Sequence, residues 1–246
     1  MSKSRYILDL KKALENVDWS YVQYSAIKSF GKGDKIKDCS FFDPLIEEGY
    51  VDEAILEYLE GFKDKKEHSL ERNFCYQLYF EWQTIIKAVK KQTYNGLVLN
   101  GEITKDNLAR AIKESENIRN TELFNAVIRI GLIEKEYFSP DFTLHGGQHD
   151  IDNQRLIAEV KYGHDLGGDK FKTDFLKLAL YQKLFHFSEC VFIIVNLEED
   201  MLLKHLRKVD FSLVDGKSFW IMLKTQDAVI NRNLEEWGQL SKTIKP

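Results

Sequence analysis

Cysteine, proline and methionine are scarce in this sequence, three of each, and positive charge is not in excess. Cys39, Cys75 and Cys190 are an odd number, lie far apart and form no CxxC, which excludes a disulfide framework and a zinc knuckle. No apolar run approaches the roughly 20 residues that span a bilayer. The opening Met-Ser-Lys-Ser-Arg-Tyr also lacks the apolar stretch of a secretory leader. No membrane contact is expected, and a reducing cytoplasm is the expected location. A net charge of −4 argues against unfocused binding to nucleic acid, so any phosphate contact must come from a local basic patch. What is present is ample for a core: 246 residues, 43% hydrophobic and 30% charged, enough for one large domain or one domain with an extension.

Apolar periodicity through Tyr6, Leu8, Leu10 and Leu14, and again through Val51, Ile55, Leu56 and Leu59, predicts a helical N-terminal extension over residues 1–65. Gly31, Gly33 and Pro44 interrupt it, and no catalytic constellation stands there. A second region, 66–246, begins with a helix from about Ser69, its candidate cap, to Lys90, whose buried stripe is Phe74, Leu78, Trp82 and Ile85. Glu71 lies in its first turn, where a carboxylate also suits the helix dipole. A strand is expected over 97–102 and a helical insertion over about 104–136, set between neighbouring strands. Further on, a helix over 169–187, a buried strand at Val191–Asn196, a helix over 198–208, a strand over 219–223 and a terminal helix over 226–240 complete the reading. No internal repeat or low-complexity segment appears.

The informative stretch lies between Phe138 and Tyr162. Two β-type runs flank Gly146, Gly147, Asp150, Asp152 and Asn153, the pattern of antiparallel strands joined by a longer loop. Strand alternation puts Glu159 and Lys161 on one face, and Ala158 and Val160 on the other. Asp141 stands at the start of the partner strand, so pairing gathers two carboxylates and an ammonium on one face. Burying that set is costly unless the charges are paired or bound to a cation. Each residue alone has an ordinary explanation: a turn residue after proline for Asp141, a solvated ion pair for Glu159 and Lys161.

Pro140-Asp141 followed by Glu159-Val160-Lys161 on a strand resembles the signature of the PD-(D/E)xK superfamily, the restriction-endonuclease-like metal-dependent nucleases. The tripeptide recurs at Asp9–Lys11, Asp64–Lys66 and Asp215–Lys217. Only Glu159-Val160-Lys161 sits in an apolar strand downstream of the chain's sole Pro-Asp. The resemblance runs from about Ser69 to Asn196 and keeps the family's order, with Glu71 on a leading helix. It implies an α/β fold: a mixed central sheet flanked by helices, with phosphodiester hydrolysis at its edge.

The resemblance also implies roles. Asp141 and Glu159 would bind Mg2+ or Mn2+, because hard divalent cations take carboxylate oxygens together with phosphate oxygens. The Val160 carbonyl would add a ligand, Glu71 would stand as an outer or third carboxylate, and Lys161 would orient water or stabilise phosphate charge. Lys177, with Lys170 and Lys172, would meet phosphate of the nucleic-acid partner, DNA in this reading, from the following helix. His145, His149, Asp150 and Asp152 are the remaining loop candidates, with turn formation and structural packing as their ordinary roles. The alternative is a catalytically inactive module of the same fold that binds nucleic acid, or a protein through the N-terminal helices.

Overall fold

The structure, a computed structural model, describes residues 3–23, 47–49, 67–89, 93–101, 121–129, 139–147, 151–163, 166–167 and 170–243. The expected loop at 30–42, the helix through Val51–Leu59, most of the 104–136 insertion and the loop positions His149 and Asp150 lie outside them. Compactness divides the chain into two units, residues 1–17 with 78–246, and residues 18–77.

The larger unit is built on one six-stranded mixed sheet in the order β1 to β6. β1 (Val98–Gly101), β2 (Phe142–His145) and β3 (Gln154–Tyr162) are antiparallel neighbours. β4 (Glu189–Val195) and β5 (Phe219–Lys224) continue parallel to β3, and β6 (Val229–Asn233) closes the far edge antiparallel. Cys190 through Val195 are buried without a break. That is what a parallel strand covered on both faces requires, and it explains why β4 reads as a continuous apolar run.

Helices cover both faces. α1 (Arg5–Asn16) is capped by Ser4, whose hydroxyl accepts from the Ile7 N–H at 3.4 Å. It buries Ile7, Leu10, Ala13 and Leu14 and packs on β5 and β6, so this part of the expected extension belongs to the larger unit. α2 (Glu67–Ala88) crosses the division between the units. Ser69 lies inside it, because Glu67 and His68 are already helical. In its second half Trp82 meets the Phe142 ring edge-on at 6.2 Å, and the Tyr79 hydroxyl donates to the Leu99 carbonyl at 3.2 Å, tying it to β1 and β2. α3 (Glu122–Arg129) is the described part of the insertion, which does connect adjacent strands.

α4 (Lys170–Phe185) covers β3 and β4, with α5 (Glu199–Leu206) and α6 (Leu234–Thr243) alongside. Phe171 stacks on Phe192 at 5.2 Å, Phe175 meets Phe219 at 4.9 Å, and Trp237 is fully buried in the same core. Each such side chain contributes about 1.5–3 kcal/mol by leaving water. The expected terminal helix over 226–240 is corrected: its first residues form edge strand β6. The helix starts at Leu234 because Asn233 and Glu236 form a capping box. The Asn233 Oδ1 accepts from the Glu236 N–H, and the Glu236 Oε2 accepts from the Asn233 N–H, each at 2.9 Å.

In the smaller unit the described residues are 18–23, with a helical turn at Ser20–Gln23, the short segment 47–49 and the first part of α2. Glu71 belongs to this unit.

Candidate active site

The β2–β3 hairpin places the site. Phe142 pairs with Ala158, so Asp141, one position earlier, comes across from Glu159. Its carboxylate turns to β3, where Oδ2 accepts from the Val160 N–H at 2.6 Å. A charged acceptor on a backbone donor is among the stronger hydrogen bonds, and it fixes the rotation of the Asp141 carboxylate.

Glu159 is inside the protein, only 3% exposed. Its Oε1 accepts from the Lys177 ammonium at 2.6 Å, and Lys161 lies farther off at 3.8 Å. Its Oε2 is buried and has no hydrogen-bond partner among the described residues. Burying a carboxylate oxygen without a hydrogen-bond partner costs free energy, so this atom is the unusual feature of the region. Burial pushes the Glu159 carboxyl above its ordinary range, against the pull of Lys177 and Lys161 and with a further push from Asp174.

Lys177 is the residue that the structure places differently from the sequence reading. Its ammonium points inward, 15% exposed, and bridges Glu159 to Asp174, the latter at 3.0 Å. Burial disfavours its charge, but Glu159 and Asp174 outweigh burial and its pKa is raised. Asp174, 7% exposed, had no role assigned from sequence. The signal for it was present: Asp174, Lys177 and Tyr181 follow at steps of three and four on one face of α4. Tyr181 is also buried, and burial together with the Glu159 charge raises its pKa.

The remaining candidates separate. Lys170 is exposed in the first turn of α4. Lys172 lines a cavity of about 140 Å³ with Arg129 and Lys208 of neighbouring elements, over a floor of Phe175 and Leu176. His145 is a structural histidine: Nδ1 accepts from the Gly147 N–H at 3.1 Å, and Nε2 lies 2.8 Å from the Asn100 amide. Asp152 sits in a single 3-10 turn before β3. Two of the competing tripeptides have other work, and Asp64–Lys66 lies outside the described residues. Asp9 is buried between Arg5 and the Tyr94 hydroxyl, both at 2.9 Å, and Asp215 caps a turn by accepting from the Lys217 N–H at 3.1 Å.

Among the described residues, no three His, Cys, Asp or Glu side chains stand together as a metal cluster. The donor types still suit a hard divalent cation: two carboxylates from adjacent strands, one with an orphaned oxygen, beside the Val160 backbone. Among the described residues, Glu159 and Asp174 both meet the Lys177 ammonium, and Lys161 lies 3.8 Å from Glu159. Among the described residues no helix is long and apolar enough to cross a membrane. Compared with family models, curated proteins and solved structures, the chain matches none.

Proposed function

We propose that this protein is a metal-dependent nuclease of restriction-endonuclease-like fold, hydrolysing phosphodiester bonds in DNA. The observation that carries the reading is the Glu159 Oε2, buried and unpartnered in a strand that also presents Lys161 and receives Asp141. Asp141, Glu159 and the Val160 carbonyl would hold Mg2+ or Mn2+. Such an ion supplies Lewis acidity toward phosphate oxygens and lowers the pKa of water.

The chain's own residues do the rest. Asp141 is held in orientation by the Val160 N–H, which donates to its Oδ2. Lys161, 3.8 Å from Glu159 on the same strand, carries a charge that would stabilise negative charge developing on a phosphate oxygen. The purified protein should cleave DNA in Mg2+ or Mn2+ and stop on chelation. Asp141→Ala and Glu159→Ala should abolish cleavage, while Lys161→Ala should lower the rate about 10²–10³-fold, the usual effect of losing one preorganised charge contact.

The second reading is a catalytically silent module of the same fold. It is favoured by the Lys177 ammonium, which already neutralises part of the Glu159 charge. Binding of DNA and metal by the wild type, with single-stranded, duplex and branched substrates all left uncut, would replace the nuclease reading with this one.

A further inference from the structure

We infer that Lys177, seated on Asp174, is a positioning residue that clamps one oxygen of Glu159 so that the other is presented to the divalent cation. The inference rests on the nuclease reading and assigns Lys177 a different task from phosphate contact. A carboxylate on a strand can rotate about its last torsion, and either oxygen can serve as ligand. Here the choice is made by an ion pair. Oε1 is taken by the Lys177 ammonium at 2.6 Å, and Oε2 is left buried and bare.

Lys177 is itself fixed. Its second contact is Asp174 Oδ1 at 3.0 Å, three residues back on the same helix, and burial of Asp174 keeps water from competing for that contact. The chain of support therefore runs from α4 to Asp174, to Lys177, to Glu159. Ligating carboxylates are held in this way by outer partners, and losing such a partner weakens metal binding about 10–100-fold. The competing idea is that Lys177 merely fills the cation's place. A place-holder would bridge the two proposed ligands, Asp141 and Glu159. Lys177 instead spans Glu159 and a residue of its own helix. It touches one oxygen of Glu159 and leaves the other open.

The test is a calorimetric titration of the full chain with Mn2+. Glu159→Gln should remove binding, Lys177→Met should weaken it about 10–100-fold, and Asp174→Asn should weaken it less, because the ammonium remains. Cleavage provides an independent split. In Lys177→Met the Mn2+ concentration for half-maximal rate should rise by the same factor, while the rate at saturating Mn2+ stays within a few-fold of wild type. A lysine that acted on phosphate would lower the saturating rate instead. Unchanged or tighter Mn2+ binding by Lys177→Met overturns the inference, the latter result marking Lys177 as a competitor for the cation. Should Lys177→Met fail to fold, Asp174→Asn decides, and wild-type affinity in that variant overturns the inference. A wild type that binds no Mn2+ ends the nuclease reading itself. Wild-type binding that depends on Glu159 but not on Lys177 ends only this inference.

Discussion

Glu159 carries its acid group where water does not reach, and that has a measurable consequence in the metal-free protein. Burial raises its pKa in the folded state above the ordinary glutamate range near 4.5. Between that range and the raised value the folded chain binds more protons than the unfolded chain, so stability falls as pH rises through the window. Thermal unfolding of metal-free wild type and Glu159→Gln across acidic to neutral pH should show the wild type losing stability relative to the variant as pH climbs. Under the proposed function, added Mn2+ should cancel the loss, because an ion held at Asp141 and Glu159 would stabilise the folded state. A constant difference between the two proteins across the range would remove burial of the charge as the governing effect. At this scale the sequence was partly legible. Strand alternation put Glu159 and Lys161 on one face, but nothing in the order of residues tells a surface lysine from one turned inward. Lys177 was therefore assigned to phosphate, and Asp174, its seat, had no role.

Among the elements, β4 is readable as a continuous apolar run, and β3 by its apolar centre and the alternation around Glu159 and Lys161. β6 was not. Val229 to Asn233 offers little alternation, buries the polar Asn231, and runs directly into Leu-Glu-Glu-Trp, whose acidic first turn favours helix. The capping box at Asn233 and Glu236 was the missed signal for the boundary. The ends of β3 and β4 make a separate prediction, since Lys161 depends on their spacing. Gly163 follows β3, and a Cβ there would come within 2.4 Å of the Asn196 backbone oxygen and 2.8 Å of the Leu197 Cβ. Backbone cannot rotate out of the way, so the strand end itself must shift. Gly163→Ala should cost about 1–3 kcal/mol, the usual range for overpacking. Denaturant unfolding measures it, and an unchanged midpoint would mean that the two strand ends move apart freely.

For the whole molecule the controlling quantity is charge. A chain with a net charge of −4 repels a polyanion at long range, and only local cations can reverse that. Lys170 is exposed at the start of α4, and Lys172 lines a cavity that carries Arg129 and Lys208 but also Glu122 and Asp210; under the proposed function these two lysines are the candidates for phosphate contact. The Lys177 ammonium is turned to Glu159 and Asp174. Each phosphate contact releases counterions and adds about 0.9 to the slope of log affinity against log salt on duplex DNA. Duplex binding by Asp141→Ala, chosen because it should not cut, therefore gives a graded test. Adding Lys170→Ala and Lys172→Ala should make the slope shallower by about 1.8 if both side chains meet phosphate. Adding Lys177→Met should leave the slope where it was, whatever it does to metal binding. A slope that falls with Lys177→Met would return that lysine to the DNA surface. A slope that ignores Lys170 and Lys172 would move the DNA path away from α4 altogether.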